Sequence, residues 1–254
     1  MKVLPVCVLL SGAKCEVVDD TTIRLGVSSV KGLGAQAIAR LLAAREGRPF
    51  ASVQDFLRRA EVSTAERRSL ALAGALNGLA EHRRSALWAV EAIGAGDELF
   101  RLAPAGPAEM ELSPLERMTH LERLQADYAT LGLTTGRHPM ALMRGRLPGV
   151  RTAAGLRGLR DGDRVGVAGS VITRQRPGTA KGFCFITLED ETGHVNAIVR
   201  PSLFEERRLV INLEPALLIA GRLQVESGVL HVMADRIEAM PVAGLPGQES
   251  HDFR

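Results

Sequence analysis

The chain has few cysteines, no long apolar run and no recognisable catalytic signature. Its three cysteines, Cys7, Cys15 and Cys184, form no Cys-x-x-Cys pair and accompany no histidine cluster. That spacing argues against a zinc site or a disulfide framework and fits reduced thiols in the cytoplasm. Apolar runs such as Val6–Leu10 and Leu217–Ala220 are far too short to cross a bilayer. The opening Met1-Lys2-Val3-Leu4-Pro5 is too brief for a signal peptide, so no membrane partner is expected. There is no Gly-x-Ser-x-Gly, no Walker loop, no His-Glu-x-x-His and no compact Asp-x-Asp pair for two metals. Glu189-Asp190-Glu191 is the nearest carboxylate cluster, and its place at a strand-to-turn junction reads as turn chemistry. No cofactor and no catalytic residue is expected in this chain.

What is present is ordinary globular composition, with 254 residues suggesting two domains. Net charge is only +3, but its distribution is uneven. Arg24 to Ile93 holds eleven basic and six acidic residues; Asp97 to Asp127 holds seven acidic and three basic. Arg137 to Arg160 holds six arginines and no acid, a block that would suit a polyanion. A merely uneven solvated surface is the plain alternative for each block.

Periodicity divides the chain. Residues 1–23 alternate weakly and read as one or two short strands. Residues 24–93 read as helices, with Ile38, Leu41 and Leu42 forming an apolar stripe. Ser52 is a predicted N-cap for a helix to Arg59, and Ser63 or Thr64 for the next, with Glu66 as capping-box partner. That helix ends near Gly74, and another is expected from Glu81 to about Ile93. The Gly-, Ala- and Pro-rich stretch at 94–111 is a linker signal. Ser113-Pro114 is expected to open a helix to about Thr130. From Asp161 the period becomes that of strands, with a short helix at Pro201–Leu209 and a hairpin turning at Ser227-Gly228. Five strands with a helix between the third and fourth is the order of an OB-fold.

Three motifs suggest binding. In Val27-Ser-Ser-Val30-Lys31-Gly32-Leu33-Gly34, two glycines permit a tight turn, and the amides opening the next helix would face outward with its positive dipole end. This has the shape of a helix-hairpin-helix, a sequence-independent phosphate cradle with Lys31 as an added charge. The alternative is an ordinary glycine-turned helix pair. Leu72-Ala-Gly74-Ala-Leu76 repeats the plan about 40 residues on. Arg83 and Arg84 follow it in a first helical turn, where a phosphate would relieve their conflict with the dipole or where they point into solvent. In the strand Lys181–Asp190, alternation places Phe183, Phe185 and Thr187 on one side and Cys184, Ile186 and Leu188 on the other. If the aliphatic set fills the barrel, the phenylalanines face out beside Arg174, Arg176 and Lys181, the ingredients of a base-stacking groove. The opposite register makes the phenylalanines core. From Asp163 to Glu238 there are nine cations and ten acids, so binding on that domain should be local and modest.

In order along the chain, Ile23-Arg-Leu-Gly26-Val-x-x-Val30-Lys-Gly-Leu-Gly34, Ala73-Gly-Ala-Leu76, Leu131-Gly-Leu-x-x-Gly136-x-His138-Pro139 and Gly182-Phe-x-Phe-x-Thr-Leu-Glu-Asp190 resemble the C-terminal part of bacterial C-family DNA polymerases, the polymerase III alpha-subunit type. The ending Ser250-His-Asp-Phe-Arg254 resembles the error-prone branch, which acts in damage-induced mutagenesis and translesion synthesis. The resemblance implies an α+β multi-domain fold: residues 1–22 from the fingers region, a tandem helix-hairpin-helix domain at 23–95, a linker and connecting helix at 96–160, a five-stranded OB-fold β-barrel at 161–241, and a tail at 242–254. It implies that the catalytic aspartates and their magnesium belong to a palm domain outside this sequence. It implies that Gly32, Gly34 and the Gly74 turn hold duplex DNA, and that the OB-fold lies near the single-stranded template. The family's Pro-x-Asp-x-Asn-x-Ser reads Pro5-Val-Cys7-Val-Leu9-Leu-Ser11 here, without its two polar positions. Its clamp-binding Gln-x-x-Leu/Met-Phe reads Gly96-Asp-Glu-Leu99-Phe100, which keeps Leu99 and Phe100 but not the glutamine. Sliding-clamp contact is then expected through a catalytically inactive Y-family-like partner. The rival expectation is a protein-interaction module for a mutagenesis complex that does not touch DNA.

Overall fold

The computed structural model describes residues 1–94 and 115–240. They form two compact units, residues 1–136 and residues from 137 onward. Of the linker predicted at 94–111, residues 95–111, with Leu99 and Phe100, lie outside the described residues, as does the tail at 242–254. Among the described residues no helix is long and apolar enough to cross a membrane.

The first unit opens with a small sheet of β1 (Lys2–Leu4), β2 (Glu16–Asp19) and β3 (Thr22–Arg24), in the order β1-β3-β2. Helices α1 (Ala35–Glu46), α2 (Val53–Arg59), α3 (Thr64–Leu72), α4 (Arg83–Gly94) and α5 (His120–Leu131) follow. The predicted caps hold. Ser52 accepts from the Asp55 amide, and Ser63 and Glu66 form a reciprocal capping box at the start of α3. One core joins Val6, Val8, Val27, Val30, Leu41, Phe56, Leu70, Leu76 and Val90 with Leu131. Packing therefore crosses residues 22 and 95, where the sequence suggested boundaries: Val6 and Val8 on one side and Leu131 on the other share the hairpin core.

Two helix starts differ from expectation. The helix expected from Glu81 begins at Arg83, because His82 Nδ1 accepts the Ser85 amide at 3.1 Å and caps it. The helix expected from Ser113-Pro114 begins at His120, and residues 115–119 are not helical. Thr119 and Glu122 supply a second capping box there, a Thr-x-x-Glu signal present in the sequence.

The second unit is a closed barrel in the order β4-β5-β6-β8-β7, built from β4 (Arg164–Gln175), β5 (Cys184–Asp190), β6 (Gly193–Val199), β7 (Ala216–Glu226) and β8 (Val229–Ala239). β6 runs parallel to β8 and every other pair is antiparallel. This is OB-fold topology. Two short helices, α7 (Pro201–Glu206) and α8 (Arg208–Leu213), stand where one was expected. Ser227 and Gly228 both take positive φ, which suits a two-residue hairpin turn matching strand twist. Between residue 137 and the barrel, α6 (Pro139–Met143) packs Met140, Met143 and Leu147 against Ala168, Ala216 and Met240. Residues 137–160 are thus part of the barrel unit's packing, where the sequence suggested a linker.

Candidate nucleic-acid interface

In the first hairpin, Val27–Ser29 is a single 3-10 turn and not a full helix. Gly32 has φ +84°, a backbone state that favours glycine, and Gly34 precedes α1 in extended conformation. The first helical bond of α1 runs from the Ile38 amide to the Gly34 carbonyl at 3.1 Å, so the preceding amides have no helical acceptor. A methyl at Gly34 would meet open space. The backbone opening predicted there is present, but an acid already faces it. Partial burial pushes the Glu66 carboxyl up; bonds from the Ser63 amide and hydroxyl and the Gly34 amide, with Arg40 nearby, hold it below the ordinary range. Leu33 packs its side chain against the core.

The predicted cations of this unit serve other purposes. Lys31 donates from Nζ to the Tyr128 carbonyl at 3.1 Å, and its amide bonds Thr130 O at 2.7 Å. It therefore sits at the negative C-terminal end of α5. Arg83 is 6% exposed, within 2.7 Å of Asp127 Oδ1, and donates to the Leu72 carbonyl at 3.1 Å. This corrects its expected role: neither phosphate nor solvent relieves it, because a buried carboxylate does. Thr134 Oγ1 donates to the other Asp127 oxygen at 2.6 Å. Gly74 makes room for this arrangement. It ends α3 with φ +77°, the Gly74 amide bonding Ala71 O and the Ala75 amide bonding Leu70 O, the paired bonds of a Schellman stop. A Cβ there would lie 2.5 Å from Arg83 Nε. Arg84 is partly exposed but binds Glu122 at 2.6 Å and the Glu116 carbonyl at 3.2 Å.

In the barrel the strand register follows the aliphatic-inside expectation. Cys184, Ile186 and Leu188 lie in the core, while Phe185 is 37% exposed and Phe183, just before β5, is half-buried. The ladders align Phe185 with Gln175 on β4 and Ile198 on β6, and Ile198 in turn with Met233 on β8. Their chain neighbours Ala197, Val199, Val232 and Ala234 fill the core, so this row lies on the outside. A polar row runs beside it through Thr173, Thr187, Asn196, His231 and Gln224. Thr187 Oγ1 donates to Asn196 Oδ1 at 3.0 Å. An apolar, aromatic-bearing row next to a row of hydrogen-bond donors and acceptors can stack a base and bond its edge.

The cations expected around Phe185 separate. Arg174 is buried and turned inward, donating to the Ile211 carbonyl and, at 2.6 Å, to the Glu214 carbonyl at the end of α8. It is corrected from a surface contact to an internal one, because those helical carbonyls have no other partner of the helix. Arg176 lies 4.3 Å from the Phe204 ring centroid and bonds Glu205 at 3.1 Å. Lys181 is exposed, with φ +51°. The neighbours that sequence reasoning missed are Ile198, Met233 and Asn196, which only pairing register brings to Phe185.

The remaining singled-out groups are structural. His138 caps α6, its Nδ1 accepting the Met140 amide at 3.1 Å; burial pushes its pKa below the usual value against the pull of Glu189, Glu191 and Asp190. Asp190 accepts from Thr192, Gly193 and Ala153 and pairs with Arg144, so it organises the β5–β6 turn. Arg144 also binds Glu191, and that bond holds the Glu191 carboxyl below its ordinary range despite burial. Among the described residues no three metal-ligating side chains come together.

Residues 1–86 match a family model described as a helix-hairpin-helix motif, and residues 165–240 match one described as an OB-fold nucleic acid binding domain. The error-prone DNA polymerase of Burkholderia pseudomallei is 44% identical over 235 residues, 91% of this chain and 22% of that protein. That of Aromatoleum aromaticum is 41% identical over 235 residues, with the same shares of 91% and 22%. That of Alkalilimnicola ehrlichii is 42% identical over 224 residues, 86% of this chain and 21% of its own length. The chain thus spans about a fifth of the length of the curated relatives it matches. The chain is thus similar to one stretch of the error-prone DNA polymerases, and it carries a helix-hairpin-helix match followed by an OB-fold match.

Proposed function

We propose that this chain is a DNA-holding, non-catalytic part of an error-prone polymerase, acting in damage-induced translesion synthesis in the bacterial cytoplasm. Single-stranded template lies on the outer row Phe185–Ile198–Met233, and that row is the observation that carries the reading. Duplex lies against the amides at the start of α1, where contact with phosphate is independent of sequence. The Glu66 carboxylate beside those amides keeps that contact weak at low salt. Arg83 and Arg174 take no part.

The test measures two quantities on one variant. Phe185→Ala removes a stacking surface of roughly 1–3 kcal/mol, so affinity for a labelled single strand should fall about tenfold. The melting temperature should hardly change, because the ring is outside the core. A large fall in melting temperature with affinity kept would overturn the reading. If neither changes, the same row serves a protein. The inward turn of Arg174 favours that second reading, since it leaves an apolar row with fewer cations than the sequence suggested. Its occupant would then be a polymerase-like partner through which the sliding clamp is reached.

A further inference from the structure

The outer row does not stop at Met233. The β7–β8 ladder sets Met233 opposite Arg222, and the β4–β7 ladder sets Arg222 opposite Arg164. Two arginines therefore face each other directly across neighbouring strands. Side chains opposed in this way have Cβ atoms about 4.5–5.5 Å apart, and like charges there oppose pairing. Several other surface arginines of the barrel are compensated: Arg236 binds Glu238, Arg176 binds Glu205, and Arg200 lies 4.0 Å from Asp235. Arg164 and Arg222 are both exposed, and among the described residues neither forms an ion pair. The nearest acids in sequence, Asp161 and Asp163, bond backbone amides and form no ion pair with either arginine. Asp161 Oδ1 accepts the Val225 amide at 2.9 Å, and Asp163 Oδ2 accepts the Arg160 amide at 2.9 Å. The charge is reinforced from the segment before the barrel. Arg151 bridges to Val167 on β4, three residues from Arg164, and Arg157 and Arg160 are exposed as well. An uncompensated like-charge pair, continuous with an apolar row through three ladders, fits an anion supplied from outside.

We propose that Arg164 and Arg222 form a phosphodiester-binding site, at which the backbone of a single strand already seated on Phe185 is gripped. This rests on the single-strand reading given above and extends it to a second contact. Four strand steps separate Phe185 from Arg164. At 4.7–4.9 Å per step that is about 19 Å along the sheet, and barrel curvature lengthens the path for a ligand outside it. A dinucleotide on Phe185 is too short to reach the arginines, whereas a strand well inside the roughly 4–16 nucleotides that an OB-fold accommodates can.

The experiment is anisotropy titration of the whole chain with labelled oligo-dT of two and of twenty nucleotides, over a salt series. The variants are the double change Arg164→Gln with Arg222→Gln, the double lysine change, and Phe185→Ala. Single-strand binding loses about 0.7 in log–log salt slope for each phosphate contact removed, so the glutamine pair should flatten the slope for the 20-mer by about 1.4. The dinucleotide should bind as before, and the lysine pair should restore most of the slope. Melting temperature of the glutamine pair should be unchanged or higher, since a repulsion is removed. An unchanged 20-mer slope in a folded glutamine pair, with Phe185→Ala still weakening binding, overturns this proposal and leaves the single-strand reading standing. If the unmodified chain binds neither oligonucleotide, both fall.

Discussion

The two units manage positive charge in opposite ways. In the hairpin unit nearly every singled-out cation is spent internally. Arg83 is buried on Asp127, Lys31 ends α5, Arg84 binds Glu122, and Arg48 and Arg59 converge on Asp55. Arg45 donates to the Val8 and Ser11 carbonyls at 2.9 Å each. What remains outward at the first hairpin is backbone. In the barrel unit Arg174 is internal, but Arg164 and Arg222 stay exposed. The surplus of basic residues counted from Arg24 to Ile93 therefore overstates what a polyanion would meet there. The barrel, where acids outnumber cations in sequence, sets two exposed arginines, Arg164 and Arg222, directly opposite each other. Local partnership, and not net charge, decides what a ligand encounters.

That contrast can be broken most directly at Arg83. Arg83→Ala leaves Asp127 buried without its counter-ion and should cost about 3–5 kcal/mol in equilibrium unfolding of the hairpin unit. A loss below about 1 kcal/mol would mean the pair is not the internal anchor assigned to it, and Arg83 would return to the list of ligand contacts.

Gly74 sharpens the same point. Gly74→Ala should cost roughly 1–2 kcal/mol for its left-handed backbone alone, and more because the methyl meets Arg83. Combined with Arg83→Ala, the steric part vanishes, so the two changes should be less than additive. Simple additivity in a double-mutant cycle would show that they do not share space.

The smallest effect is expected at Lys31. Lys31→Ala removes a cation from a helix C-terminus, worth about 0.3–1 kcal/mol, and should lower thermal stability slightly. Duplex affinity should stay within about twofold, because Lys31 is committed to Tyr128 O. A clear drop in duplex affinity without a stability change would place Lys31 at the phosphate after all.

Much of the fold was legible because its signals are local. Ser52 and Ser63 cap as their side chains dictate, the Ser227-Gly228 turn sets the β7–β8 hairpin, and strict alternation places Ile186 and Leu188 inside and Phe185 outside. The candidate site was legible only in part. That Arg83 would meet Asp127, 44 residues on, depends on how α5 packs, and no local rule reports it. Arg174 was expected on the phenylalanine face, but its long side chain reaches Glu214 O across the barrel's helix. The Ile198–Met233 neighbours of Phe185 come from the parallel β6–β8 pairing, a contact between strands with two helices and a strand between them in sequence. The start of α5 was readable in Thr119-x-x-Glu122 and was obscured by the stronger-looking Ser113-Pro114.

The docking of α5 has a practical consequence for anyone who divides this chain. The helix-hairpin-helix match ends at residue 86, which invites a fragment cut shortly after α4. Such a fragment would keep Arg83 and lose Asp127, keep Lys31 and lose Tyr128, and uncover the core beneath Leu131. It should be recovered insoluble or readily proteolysed, whereas one extended through Gly136 should be a stable, autonomously folding piece.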